Sequence, residues 1–431
     1  MAFPWYALCV LFVLPFIDPR RPLRLLHLDL LVLVIIGLGP LHSFLSGGVP
    51  STAAILVTVG GLTYLMARLV WSALRPAGRQ GPVVPVVPVR WLAVAVVLLV
   101  TVRVGYVLAD RVLVIDVGEA SVAGADRISH GRPLYEGGLG RQVGGGDTYG
   151  PVVYLTYLPF ERVLPLEHDS RARAARPAAV TFDLLTLAAL FALGLRLRPG
   201  HAGKELGVAL AYAWAAYPYS LLVLRYSFND ALVSLLVLGA LLAASHPARR
   251  GAVGALAAAT KFAPAVVAPL LAVGTGERRL RSVLIFAACF AAVTLAVFLP
   301  FLPNGGVHEL YDRTLHYQQA RRGWMVTWGR VPELGWLQTV VQATVVALAF
   351  LFAVVPRRRC LTQVAALSAA LLIAAELAAT NWFSTYTVWF APVAFVGFFG
   401  VYESRRATSP APSVMPSGPR YTALGPPTRA S

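Results

Sequence analysis

Asp116 and Glu119 lie three residues apart in a polar stretch, 110–176, between long apolar runs. If that stretch opens as a helix, the two carboxylates share a face. A carboxylate held half-buried above a membrane can act as a general base. The plainer alternative is a pair of solvated loop acids or helix caps. The residue types alone leave both readings open. The same stretch carries Asp126, Gly131-Arg132-Pro133-Leu134-Tyr135 and Asp147-Thr148-Tyr149-Gly150-Pro151. Where a membrane protein places carboxylates at the point a loop leaves the bilayer, chemistry or transport is expected.

The elements that must position these residues are apolar helices. The chain has 431 residues, 57% of them hydrophobic and 13% charged, with a mean hydropathy of +0.67. That excludes an ordinary soluble domain and predicts an all-α, polytopic helical membrane protein, because helices satisfy their own backbone polar groups in lipid. A net charge of +17 could suggest nucleic acid. The arginines instead cluster in short loops between apolar runs, the pattern of cytoplasmic loops. Arg far outnumbers Lys, as in GC-rich bacterial genomes. Cys9, Cys289 and Cys360 have neither disulfide nor zinc spacing.

About 11 spans are expected, near 2–17, 27–45, 52–73, 91–109, 177–195, 205–224, 229–245, 281–302, 335–355, 361–380 and 385–402. All the basic loops fall on one side only if two further apolar segments do not cross. The segment near 149–166 is then an outer-face helix. That near 251–274 is a re-entrant pair of half-helices broken around Lys261-Phe262-Ala263-Pro264. The N-terminus is placed outside and the C-terminus in the cytoplasm. Residues 1–90 read as accessory spans and 91–402 as a core with external loops 110–176 and 303–334. The Pro/Ser-rich, basic stretch 403–431 reads as a disordered cytoplasmic tail.

Several residues inside or between spans carry charge. Arg103 and Asp183 are each about six residues from the outer end of their spans, so equal depth and opposite charge predict a structural pair. Lys261, one of two lysines, either lines a polar cavity or snorkels to the surface; the cavity is favoured. Glu376 shows no partner in sequence and is either functional or packed on a helix hydroxyl. Asn229 and Asp230 are as suited to capping a helix as to holding a ligand. The loop 303–334 offers His308, Arg313, His316, Gln318, Arg321, Arg322, Trp324 and Trp328. The tryptophans fit a membrane interface better than a sugar face, and the histidines fit plain loop positions. Arg321-Arg322 would put positive charge outside, against the topology rule, and an anionic ligand or lipid headgroup would explain it.

The run Asp116-Val117-Gly118-Glu119, followed by Ala125 and Gly131-Arg132-Pro133-Leu134-Tyr135, resembles the first external loop of the GT-C glycosyltransferases, which use polyprenyl-phosphate sugars. Asp147-Thr148-Tyr149-Gly150-Pro151, with Tyr154, Pro159 and Phe160, is similar to their Tyr-Pro-Pro-like segment. The stretch ending Thr260-Lys261-Phe262-Ala263-Pro264 resembles a helix break of that superfamily. The resemblance covers roughly residues 91–300 and is nearest to actinobacterial polyprenol-phosphate-mannose-dependent mannosyltransferases. Here three spans precede the one entering the loop, where the family usually has one or few.

The resemblance implies a membrane hexosyltransferase that inverts at the sugar carbon on the outer face. It makes Asp116 the base for the acceptor hydroxyl and Glu119 its helper. A phosphate leaving group needs cations as charge develops on it, and Arg offers it a two-oxygen fork. Substrate-binding candidates are therefore Tyr135, Asp147, Tyr149, Arg225, Asn229, Asp230, Lys261, His316, Arg321 and Arg322. The partners implied are a polyprenyl-phosphate sugar donor, a glycolipid or glycan acceptor and membrane lipid. No cofactor is expected. Asp126 or Asp147 could hold a divalent metal, but such sites have no fixed spacing and none is assigned. The competing reading is a transporter or flippase of a lipid-linked or anionic solute, which would want its ionisable groups near the bilayer midplane. A plain scaffold would have no cavity joining Asp116 to the external arginines.

Overall fold

The computed structural model describes residues 3–75, 79–109, 114, 116–135, 149–166, 172–276, 280–320 and 328–403. Its helices in chain order begin with α1 (Phe3–Val13), α2 (Leu25–Ser46), α3 (Thr52–Leu74), α4 (Val89–Ala109), α5 (Asp116–Ser129) and α6 (Pro151–Val163). They continue with α7 (Ala175–Leu197), α8 (Gly200–Ala216), α9 (Pro218–Arg225), α10 (Asp230–Leu242), α11 (Pro247–Lys261) and α12 (Ala268–Val273). The last are α13 (Leu280–Phe298), α14 (Gly306–Tyr311), α15 (Tyr317–Ala320), α16 (Gly335–Val354), α17 (Leu361–Ala378) and α18 (Thr387–Phe399). Two short strands, β1 (Arg79–Pro82) and β2 (Tyr402–Glu403), pair in parallel. One hydrophobic core runs through the helices and includes Phe12 and Phe16, Leu30 and Leu33, Tyr154, Trp214, Leu238, Leu371 and Phe395.

Seven of these helices are long and apolar enough to cross a membrane, and α8 with α9 would make an eighth despite a bend of 57°. Ten of the eleven expected spans each overlap one long or short helix, and 205–224 falls on the bent pair α8 and α9. Three fall short of a full crossing: α1 has 11 residues, and α10 and α18 have 13 each. The expected outer-face segment is α6, also 13 residues. The expected break near Lys261 is present. α11 stops there, Phe262 takes a φ of +60°, and the chain continues through a 3-10 turn into α12.

The bend between α8 and α9 explains the buried pair. Pro218 cannot donate a backbone N–H, so carbonyls just before it lose helical partners. Arg103 Nη1 donates to Ala215 O at 3.0 Å and Nη2 to Ser220 Oγ at 3.2 Å. Its Nη2 also binds Asp183 Oδ1 at 2.9 Å, and Trp214 Nε1 donates to the same oxygen at 2.9 Å. The expected structural pair exists, and it mends a broken helix.

Basic loops converge on one end of the bundle, where arginines hydrogen-bond the last carbonyls of helices. Arg196 donates to Leu242 O at the end of α10, and Arg198 to Gly400 O after α18 at 3.4 Å. Arg250 donates to Ala272 O of α12 at 3.2 Å, and Arg359 to Ala353 O of α16 at 3.0 Å. Each guanidinium meets the negative end of a helix dipole. The opposite end gathers the start of α5, the α9–α10 turn and the segment before α16. There Arg330 donates to Pro50 O at 2.9 Å, Trp328 Nε1 donates to Leu377 O at 2.9 Å, and Phe44 packs edge-on against both Tyr226 and Phe383.

Candidate active site

Asp116 opens α5 with a φ of +28°, and Glu119 follows in the same helical turn, both half-buried. The shared face expected from their spacing is real. A helix start is also where backbone N–H groups and the dipole favour a carboxylate. Small residues then let α5 lie close against its neighbours. Gly118 packs on the carbonyl of Ser227, and Ser121 Oγ accepts a 3.0 Å hydrogen bond from Asn229 Nδ2. The first turn of α5 is thereby docked on the turn between α9 and α10.

That turn delivers Asp230. Its Oδ1 accepts from Lys261 Nζ at 2.6 Å and from Trp389 Nε1 at 2.7 Å. Neither Asn229 nor Asp230 makes the side-chain cap that was the alternative. Asn229 is 1% exposed, and its Oδ1 accepts no hydrogen bond among the described residues. Lys261 does not snorkel: its side chain is 6% exposed. The ammonium faces the rings of Tyr149, Trp389 and Tyr386, at 5.0, 5.4 and 6.0 Å from their centroids. Such faces favour a cation. Tyr386 and Trp389 stack on each other at 4.4 Å.

Tyr149 closes the pocket on the α5 side. Its carbonyl accepts from Tyr135 OH at 2.9 Å and its N–H donates to Tyr154 OH at 3.3 Å. Gly150 N donates to Thr260 O at 2.8 Å, which pins the segment to the tip of α11. Burial pushes the Tyr149 hydroxyl pKa well up, and the charges of Asp116, Tyr386 and Asp230 push it further. Tyr149 therefore lies within electrostatic reach of both carboxylates. Three of the four non-glycine residues with positive φ among the described residues border this pocket: Asp116, Ser227 at +57° and Phe262 at +60°. Strain of this kind collects at functional sites.

The cluster is buried, with Asp230 1% and Trp389 7% exposed. α10, α11 and α18 each reach from the arginine-rich end of the bundle to the cluster of Asp230, Lys261 and Trp389. With 13, 15 and 13 residues, they rise about 20 Å, against a hydrocarbon core of about 30 Å. Glu376, 3% exposed, accepts from Trp382 Nε1 at 2.9 Å. Its partner is an indole, not the helix hydroxyl considered from sequence.

Other expected site residues are elsewhere. His316 is 59% exposed at the side chain, stacks on Tyr311 and lies 3.5 Å from Asp312. It is not among the groups that meet at Asp230. Arg225 ends α9, its guanidinium 5.6 Å from the rings of Tyr106 and Tyr226. Asp126 is held by Arg132 and His130. Asp147, Arg321, Arg322 and Trp324 lie outside the described residues. Among the described residues no group of three or more His, Cys, Asp and Glu is arranged to hold a metal. Sequence reasoning missed Tyr386 and Trp389. Their only signal was a Trp and a Tyr three apart in an apolar run, which reads as core.

Residues 148–399 match glycosyltransferase family 87. That is more than half of the chain, and it takes in Tyr149, Asp230, Lys261, Tyr386 and Trp389. The chain belongs to glycosyltransferase family 87. No curated protein matches it. Membership of family 87 makes this a membrane glycosyltransferase, with a sugar donor and an acceptor, and it sets the transporter reading aside. Asp116 and α5 precede the matched region, but they dock directly onto it.

Proposed function

We propose that this family 87 enzyme moves a hexose, mannose by the resemblance, from a polyprenyl-phosphate donor to an envelope glycolipid or glycan on the outer face. The observation that carries the reading is the meeting of α5, the α9–α10 turn, the tip of α11 and the start of α18 around one buried polar cluster. It combines a carboxylate at a helix start, an ammonium and an aromatic wall. The depth suits a donor whose lipid tail stays in the bilayer while its phosphate reaches the pocket from the side.

Asp116 accepts the proton of the acceptor hydroxyl. The hydroxyl oxygen bonds to the sugar C1 from the face opposite the phosphate. The bond between C1 and the phosphate oxygen breaks, and its electron pair leaves with polyprenyl phosphate. Glu119, one turn on, orients the acceptor. Charge on the departing phosphate calls for cations. Arg225 at the end of α9 and Arg321-Arg322 of the external loop serve, joined by Lys261, whose ammonium has three donors and gives one to Asp230. Tyr135, Tyr149 and Asn229 hold the walls, and the flat faces of Tyr386 and Trp389 match a sugar ring.

The test is the purified protein in nanodiscs with synthetic polyprenyl-phosphate hexoses and a glycolipid extract. The expected result is one free polyprenyl phosphate for each sugar transferred, with inverted configuration by NMR. Solute crossing liposomes without release of polyprenyl phosphate would overturn the proposal.

A further inference from the structure

Four hydrogen bonds within little more than one helical turn tie α2 to other elements through its backbone. Tyr217 OH donates to Leu33 O at 3.2 Å and Tyr219 OH to Val34 O at 2.5 Å. Thr58 Oγ1 donates to Ile36 O at 2.7 Å, and Ser384 Oγ to Gly37 O at 3.0 Å. One of these acceptors has a clear origin. Pro40 lies inside α2 and lacks the N–H that would have reached Ile36 O. The others use the second lone pair of a helical carbonyl. All four donors are buried, Ser384 at 1% exposure.

The donors are not scattered. Tyr217 and Tyr219 flank Pro218 at the head of α9, which runs on to Arg225 and the turn holding Asn229 and Asp230. Ser384 opens the 3-10 turn Ser384–Tyr386, which runs straight into α18 and Trp389. Only Thr58 faces the other way, toward α3. Two of the segments that build the site, the one leading through α9 and the one leading into α18, are thus fastened to one stretch of α2. The fit is close: a Cβ at Gly37 would lie 2.4 Å from the Tyr219 ring. α2 also lies outside the region matched to family 87, which begins at residue 148.

We propose that α2 is a positioning element of the reaction site, with Ser384 and Tyr219 as its attachment points. This rests on reading the Asp230, Lys261, Tyr386 and Trp389 pocket as the site of transfer. Holding a reacting pair in geometry is worth large factors in rate. Loosening either attachment should therefore lower turnover more than donor binding.

The test compares Ser384→Ala and Tyr219→Phe with Thr58→Val, in the full-length protein in nanodiscs. It reads kcat and KM together with amide hydrogen exchange over residues 383–389. Ser384→Ala and Tyr219→Phe are each expected to lower kcat about tenfold with KM within about twofold, roughly one hydrogen bond's worth. Exchange over 383–389 rises by a similar factor in Ser384→Ala, and Ser384→Thr restores most of both. Thr58→Val, which removes a bond of the same kind on the far face, changes neither. The proposal is overturned by unchanged exchange in Ser384→Ala, or by an equal kcat loss in Thr58→Val. Exchange reads out without turnover. Failure of the transferase reading would appear separately, as wild-type protein that consumes no donor while the exchange pattern holds.

Discussion

Asp116 draws its character from position more than from type. At the first residue of α5 it meets the positive end of a helix dipole, in a backbone conformation unusual for a side-chain-bearing residue. Both features aim a carboxylate at one place. Asp116→Asn keeps the shape and removes the proton acceptor, so sugar transfer should fall about 100- to 10,000-fold while membrane insertion and yield are unchanged. A purified variant with normal turnover would remove Asp116 as the base. Lys261 and Asp230 belong together in a different way. Lys261→Met leaves a buried carboxylate without its cation, which costs about 3–5 kcal/mol for such pairs. The double variant Lys261→Met with Asp230→Asn should recover much of that stability but not the activity. Thermal unfolding beside a transfer assay separates these outcomes. A double variant as unstable as the single one would contradict the pairing.

The elements show what was legible in the sequence and what was not. Hydropathy located every long helix, because each must bury a run of apolar residues in lipid. It also located the break after Lys261, because a lysine and a proline cannot continue an apolar helix there. Spacing gave the shared face of Asp116 and Glu119, and depth gave the Arg103–Asp183 pair. Hydropathy missed that α10 and α18 stop about 10 Å short of a full crossing, since an apolar run does not say where it ends against a pocket. Nor did it bring Trp389 to Asp230. The two are 159 positions apart, and only packing joins them. The contact of α6 with α11 is the most exacting of these joints. A Cβ on Gly150 would come within 2.0 Å of Ala259 O, backbone against side chain with nothing to give way. Gly150→Ala should therefore shift Tyr149 off Lys261, destabilise by about 1–3 kcal/mol and lose most transfer. A variant of wild-type stability and rate would show that the joint is not needed.

Across the whole molecule, charge divides the bundle into two ends. Arg196, Arg198, Arg250 and Arg359 cap helices at one end, and the start of α5 and the α9–α10 turn lie at the other, where His308 stands 87% exposed at the side chain. We propose from the positive charge that the arginine end is cytoplasmic, which would bring donor, acceptor and Asp116 together at the outer face. The measurement that tests this most directly is labelling with a membrane-impermeant maleimide. It uses His308→Cys in a background without native cysteines, against native Cys360, which is exposed beside the arginines. The account expects Cys at 308 to react in intact cells and Cys360 only after the membrane is opened. Reaction of Cys360 in intact cells, with position 308 protected, would put the pocket on the cytoplasmic side and contradict it.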